Sequence, residues 1–128
     1  MITIAVDAMG GDNAPLKIID GIELHNKKSK NVFYKIFGNK NIIEPIIEKK
    51  TIDKNNVEII HTEKKIKGED SAFTAAKRGK DTSMWLAIES VKEKSSDIVI
   101  SAGNTGALLV IAKLNLNMIE NIDKPALS

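Results

Sequence analysis

Short apolar runs alternate along the chain with longer segments in which apolar residues recur every three or four positions. Four runs rich in β-branched and aromatic residues predict strands, at residues 2–6, 32–37, 57–60 and 98–100. Several of them are almost continuously apolar, which is typical of strands buried on both faces of a parallel sheet. The pattern therefore predicts an α/β fold: a doubly wound, mainly parallel sheet with helices on both faces.

Helical periodicity fills the segments between the predicted strands. The first helix is expected to begin at Asn13 or Ala14, with Pro15 in its first turn, where a missing N–H costs nothing. Further helices are expected over residues 42–49, 71–77 and 105–118. Residues 81–83 can cap another helix, and the residues expected to share its apolar face are Met84, Ala87, Ile88 and Val91.

Composition narrows the class of protein. The chain has 128 residues, 42% hydrophobic and 28% charged, which fits one globular domain. A net charge of +2 argues against nucleic-acid binding, which needs a broad cationic face. The lack of Cys excludes thiolate metal sites and thiol nucleophiles, and it suits a reducing cytoplasm. No apolar run approaches the roughly 18 residues of a membrane span, so membrane association would be peripheral.

A glycine-rich turn follows the first predicted strand. Gly10 and Gly11 permit positive φ and a close approach of backbone to a ligand, and Asp12 and Asn13 can cap the next helix. A helix N-terminus at the carboxyl end of a parallel strand suits phosphate, although a tight turn with a good cap explains the same residues. Asp7 is expected to orient this loop by accepting backbone hydrogen bonds, with a catalytic base as the alternative.

A second glycine-rich turn follows the fourth predicted strand. It contains two hydroxyls (Ser101 and Thr105), the amide of Asn104, and Gly103 and Gly106, which let the backbone close around an anion. The turn matches neither the Walker pattern nor the dinucleotide fingerprint, which disfavours triphosphates and nicotinamide cofactors. An ordinary strand-to-helix turn is the alternative interpretation. The composition favours binding of a phosphorylated or other small anion.

A basic segment precedes the capped helix. Lys77, Arg78 and Lys80 can attract phosphate or an acidic carrier protein, with Arg78 suited to bidentate contact, although such runs are often only a solvated face. His61 follows the third strand, where it either faces the ligand edge or bonds a loop. The two histidines lack the spacing of a metal site, and no nucleophile–base pair supports covalent catalysis.

Four segments, residues 4–15, 80–84, 101–108 and 123–127, resemble in order the signatures of the phosphate acyltransferase (PlsX) family of bacterial phospholipid synthesis. The resemblance implies transfer of a fatty acyl group from acyl carrier protein to inorganic phosphate, giving acyl phosphate. It also implies a fold like those of phosphotransacetylases and isocitrate-type dehydrogenases, a homodimer, and a cytoplasmic protein peripherally attached at the inner face of the membrane. Neither a metal nor a nucleotide cofactor is implied.

Members of that family are considerably longer, so residues 1–128 are expected to be the N-terminal part of a single α/β catalytic domain. A truncated anion- or carrier-binding module without turnover, or an inactive remnant, is the alternative. No catalytic residue is assigned. The candidate phosphate- and substrate-binding residues are Gly10, Gly11, Asp12, Asn13, Lys77, Arg78, Lys80, Ser101, Gly103, Asn104, Thr105 and Gly106. Apolar surface is expected to be exposed along the last helix, with self-association as the consequence.

Overall fold

The computed structural model describes residues 1–67, 70–71, 74, 77, 79–103 and 105–116, with the backbone alone at 105, 109, 110, 113, 114 and 116. Strands and helices alternate along these residues. The elements are β1 (Ile2–Asp7), α1 (Leu16–Lys28), β2 (Val32–Gly38), α2 (Lys40–Glu48), a 3-10 turn (Lys54–Asn56), β3 (Val57–His61), α3 (Ser83–Lys92), β4 (Ile98–Ser101) and α4 (Thr105–Leu116).

The four strands form one parallel sheet in the order β3-β2-β1-β4. This arrangement confirms the predicted parallel α/β sheet, and each strand extends one residue beyond its predicted end. In the β1–β4 pair, Asp7 lies opposite Ser101. Because all strands run the same way, their carboxyl ends share one edge, and both glycine-rich turns leave the sheet there.

Helices cover both faces of the sheet, as the sequence predicts. On one face, α1 and α2 bury Ile19 and Ile43 against β1 and β2. On the other face, α3 packs against α4 through Ile88 and Ile111, and Ala87 contacts the sheet. Full burial of such side chains contributes roughly 1.5–3 kcal/mol each, so these two layers account for much of the driving force for folding.

Two helices begin at positions different from those predicted. Asn13 and Ala14 lie in a turn, and α1 starts only at Leu16, with no side-chain cap bond. The turn is closed by the Ala14 N–H, which donates to the Gly11 carbonyl at 3.4 Å. α2 starts two residues early because the Asn39 side chain accepts the N–H of Asn41 at 3.0 Å and caps the helix there.

The cap of α3 is confirmed. Thr82 Oγ1 accepts the Trp85 N–H at 3.2 Å, and the predicted apolar face is buried or partly buried. Within the helix predicted over 71–77, the Thr74 N–H donates to Ser71 Oγ at 3.0 Å, and most other residues lie outside the described ones. The end of the last predicted helix, residues 117–118, also lies outside them.

An apolar groove of about 350 Å³ lies between α1 and β4. Ile18 and Ile22 of α1 line it together with Ile100 of β4, and the exposed residues Lys17 and His25 also contribute. Ile98 and Ile100 are 47% and 43% exposed. The expected exposure of the last helix is not seen at Ala107, Ile111 and Ala112, which are buried. No helix within the described part of the chain is long and apolar enough to cross a membrane.

Candidate functional site

The two glycine-rich turns touch each other at the carboxyl edge of the sheet. A Cβ built on Gly10 would lie 2.7 Å from Asp7 Oδ2 and 2.9 Å from the Gly103 nitrogen. A Cβ on Gly103 would in turn lie 3.2 Å from the Gly10 Cα and 3.0 Å from Met84 Cε. A methyl group at Gly10 would force its neighbours to shift, and one at Gly103 would need only a small displacement of Met84 and Gly10, so glycine at position 10 in particular lets the two backbones meet.

Asp7 lies between these turns and the start of α3, and only 1% of it is exposed. Its Oδ1 accepts the Ser83 hydroxyl at 2.5 Å and the Met9 N–H at 3.2 Å. Its Oδ2 accepts the Ser101 hydroxyl at 2.7 Å. The carboxylate thus joins β1, α3 and β4 at one point. The expectation that Asp7 orients the first turn agrees with the Met9 bond, and the two serine bonds add α3 and β4.

Ser101 carries this connection into the second turn. Its hydroxyl donates to Asp7, and its oxygen accepts the Gly103 N–H at 3.1 Å. The hydroxyl proton that the sequence offered to an anion is therefore directed at Asp7 in this structure. Binding of an anion by Ser101 remains a prediction, and it requires that proton to turn away from the carboxylate.

The loop that leads into α3 is anchored from both sides. Thr82 donates its hydroxyl to the Gly79 carbonyl at 2.5 Å, and the Ser83 N–H donates to the Lys64 carbonyl at 3.0 Å. Asp81 has a φ of 71°, in the left-handed region, and its carbonyl accepts the Thr62 hydroxyl. These bonds hold the basic segment beside the N-terminus of α3, where Lys77 and Lys80 are exposed.

The predicted binding residues other than Lys77 and Lys80 fall into four groups. Both turns are brought together, since the methyl absent from Gly11 would lie 3.2 Å from the Ala102 carbonyl. The side chains of Asp12 and Asn13 are exposed at this edge, and Gly11 has a φ of 98°. Thr105 and Gly106 are the first two residues of α4. Arg78 and Asn104 lie outside the described residues.

Among hydrogen bonds between described residues, none uses the N–H of Gly10, Gly11 or Asp12 as its donor. Three consecutive backbone donors at the carboxyl end of a parallel strand form the kind of concavity that suits an anion. The exposed Lys80 adds positive charge on the α3 side of the same edge. These backbone donors and Lys80 suit an anionic ligand, whereas the carboxylates of Asp7 and Asp12 in the same turn oppose one.

The two histidines have structural partners. His61 Nδ1 accepts the N–H of Lys40, the first residue of α2, at 3.0 Å, so its partner is the start of a helix and not the loop that one interpretation expected. His25 Nδ1 lies 2.6 Å from the Tyr34 hydroxyl, and the rings are perpendicular. Burial raises the pKa of Tyr34. The described residues contain no cluster of His, Cys, Asp or Glu suited to a metal ion.

Sequence reasoning missed the roles of Ser83 and Thr62. Ser83 was considered only with its neighbours as a helix cap, whereas its hydroxyl bonds a carboxylate 76 positions away. Thr62 follows β3, and its hydroxyl fixes the loop before α3. A small hydroxyl residue next to the cap of a helix is the only local signal for Ser83, because the contact depends on where α3 lies over the sheet.

Comparison with known proteins identifies relatives across the whole chain. The phosphate acyltransferase of Pelagibacter ubique (strain HTCC1062) is 67% identical over 128 residues, covering 100% of this chain and 38% of that protein. Those of Parvibaculum lavamentivorans and Enterococcus faecalis are each 41% identical, covering 99% and 97% of this chain. The chain thus spans little more than a third of these relatives' length. A model of the fatty acid synthesis protein family matches residues 2–128, and the chain belongs to that family.

Proposed function

We propose that this chain is part of an acyltransferase that moves a fatty acyl group from acyl carrier protein to inorganic phosphate. The carboxyl edge of β1 and β4 is the proposed phosphate site. The observation that carries the proposal is the direct contact of the two glycine turns, Gly10 against Gly103, where α/β sheets bind ligands. Family membership and the relatives' name, phosphate acyltransferase, supply the reaction class.

The proposed reaction requires the protein mainly to position phosphate and the thioester. An oxygen of phosphate attacks the thioester carbonyl carbon, a C–O bond forms, and the C–S bond breaks as the tetrahedral intermediate collapses. The carrier's sulfur leaves as a thiolate and takes up a proton from water, so the products are acyl phosphate and the free carrier thiol. Holding the two reactants together supplies much of the rate, and backbone N–H groups stabilise the developing oxyanion.

The basic segment before α3 is the proposed contact for the carrier. Lys77 and Lys80 are exposed, and Thr82 holds their loop against Gly79. Exposed cations act mainly on the encounter rate with an acidic partner, and salt weakens them. Homodimer formation, cytoplasmic location and peripheral membrane attachment belong to the same proposal through the family resemblance.

The first experiment measures phosphate binding and acyl-phosphate formation in parallel. We expect phosphate to bind the 128-residue chain with millimolar or tighter affinity by calorimetry, and the Asn104→Ala, Thr105→Ala double variant to bind more weakly. Acyl-phosphate formation is assayed with the same chain and a carrier-linked thioester. Binding with turnover supports the enzyme, and binding without turnover supports the non-catalytic module. Absence of phosphate binding would refute the proposed site.

A second experiment tests the carrier surface with two lysines of the same helix region. Lys80 precedes the N-terminus of α3, whereas Lys92 is exposed in its last turn. Lys80→Ala is expected to slow association with acyl carrier protein at low salt, and Lys92→Ala is not. Equal effects of the two substitutions would indicate general charge attraction and count against a local docking surface.

A further inference from the structure

We propose that Asp7 is the positioning residue that couples the two glycine turns, so that the phosphate site forms as one unit. The inference rests on the proposed function, because it assigns a role within that phosphate site. Asp7 is 1% exposed, yet three donors from three different elements converge on its carboxylate. The donors are Met9 of the first turn, Ser83 of α3 and Ser101 of β4.

The coupling reaches the second turn through Ser101. Because the Ser101 hydroxyl donates to Asp7 at 2.7 Å, its oxygen presents a lone pair to the Gly103 N–H at 3.1 Å. Gly103 in turn packs on Gly10, whose own missing methyl would strike Asp7 Oδ2. The contacts close a ring from Asp7 through Ser101 and Gly103 to Gly10 and back to Asp7.

A second arm of the same carboxylate fixes the cationic side of the edge. The Ser83 hydroxyl donates to Asp7 Oδ1 at 2.5 Å, and Ser83 is the first residue of α3. The loop that carries Lys80 ends at this residue. One buried carboxylate thus sets the relative position of both turns and of the N-terminus of α3.

The sign of the effect distinguishes positioning from simple electrostatics. A carboxylate near a bound phosphate repels it, so removing the charge alone would tighten binding. If Asp7 positions the turns, Asp7→Asn weakens binding instead, because the amide donates at one of its two ends and reverses one of the hydrogen bonds. Loss of a positioning bond is expected to weaken phosphate binding about five- to tenfold.

The experiment combines phosphate titration with amide hydrogen exchange measured by NMR on the 128-residue chain. Asp7→Asn is expected to weaken phosphate binding and to speed exchange at Gly103, whose N–H touches Ser101 and not Asp7. Ser101→Ala, a milder change, is expected to do the same. The double variant should bind phosphate within about twofold of the single variant that has the lower affinity. The two substitutions break the same network, so their effects should not add.

Two controls separate this effect from general loss of stability. Asp20→Asn removes an equal charge from α1, where the carboxylate pairs with Lys50, and is expected to leave phosphate binding unchanged. The Ser29 N–H, bonded to the His25 carbonyl at the end of α1, reports exchange near the start of β2, at the edge of the sheet opposite Asp7. A faster exchange confined to Gly103 supports coupling, and an equal rise at Ser29 contradicts it.

The outcomes also separate this inference from the proposed function. Unchanged or tighter phosphate binding by Asp7→Asn overturns the positioning role while leaving the phosphate site intact. If the unsubstituted chain binds no phosphate, the proposed site is refuted. Exchange at Gly103 then decides on its own whether Asp7 couples the turns, and unchanged exchange in Asp7→Asn overturns the coupling.

Discussion

The two faces of the β1–β4 pair differ in how completely their side chains are packed or hydrogen-bonded. On the α3 face, Asp7 and Ser101 lie opposite each other and both are hydrogen-bonded. On the α1 face, Ile98 and Ile100 of the same strand β4 remain nearly half exposed beside a groove of about 350 Å³. The strands are the same, so the difference comes from the elements that pack on them.

This contrast separates a face that is held by directional hydrogen bonds from a face that is held by apolar burial alone. Polar groups buried on the α3 face need particular partners at particular distances, since an unpaired buried donor or acceptor costs about 1–3 kcal/mol. Isoleucines on the α1 face need only to be buried from water, and the hydrophobic effect that favours their burial is non-directional. A functional site therefore fits the first face, while the second is a surface whose packing the described residues leave open.

The largest expected effect comes from equal truncations inside and outside the core on the α1 side. Ile19→Ala removes a side chain that is 0% exposed and is expected to lower the free energy of unfolding by about 2–5 kcal/mol. Ile100→Ala removes the same atoms from the groove wall and is expected to lower it by only about 1 kcal/mol or less. Urea unfolding of both variants measures the difference.

The control for this pair is protein concentration. A cost for Ile100→Ala that grows with protein concentration would show that a second copy of the chain covers the groove. Equal costs for the two variants at low concentration would contradict the comparison, because they would mean that Ile100 is as well packed as Ile19.

The next effect compares two glycines, one in the turn beside Asp7 and one in α1 at the groove. Gly10→Ala places a methyl 2.7 Å from Asp7 Oδ2 and 2.9 Å from the backbone of Gly103, so we expect a loss of about 1–3 kcal/mol in stability. Gly21→Ala, within α1 at the groove, meets nothing within 4 Å and is expected to stabilise by about 0.5–1 kcal/mol.

Thermal and denaturant unfolding of the two alanine variants tests these opposite signs. Phosphate titration of the same samples adds a functional readout, since only the change at Gly10 disturbs the contact between the two turns. Stabilisation by Gly10→Ala would show that the turns do not meet as described, and weaker phosphate binding by Gly21→Ala would place part of the site at the groove.

The sheet was predictable from sequence because its signals are local. Runs of β-branched residues mark the strands, and Thr82 marks the start of α3, since capping involves residues only three positions apart. The starts of α1 and α2 were wrong for an equally local reason. The turn that precedes Leu16 delays α1, and the Asn39 side chain caps α2 earlier than its apolar pattern suggests.

The network around Asp7 was predictable only in part. The position of two glycine turns at the ends of two parallel strands follows from the pattern, and so does a loop-orienting role for Asp7. Its bond with Ser83 does not, because it spans 76 positions and depends on how α3 packs over the sheet. Strand order has the same origin, and it decides that Ser101 and Asp7 are neighbours.

The smallest expected effect concerns Tyr34, which lies at the groove and bonds His25. Burial raises its pKa above the ordinary value of 10.0, so the folded state holds the hydroxyl proton more tightly than the unfolded state. Stability from this difference is present below pH 10 and is lost as the pH rises toward the folded-state pKa. Tyr34→Phe should remove that loss, and the missing hydrogen bond should cost about 0.5–1.5 kcal/mol at neutral pH.

Tyrosinate absorbance measures this directly, because Tyr34 is the one tyrosine in the sequence. In the folded chain the midpoint of its titration should lie above 10.0, and in urea it should return to about 10. Lysines titrate in the same range, so the slope of stability against pH is compared between the unsubstituted chain and Tyr34→Phe. A folded-state midpoint at the ordinary value would mean that water in the groove reaches the Tyr34 hydroxyl. The α1 face would then be open down to the level of β2.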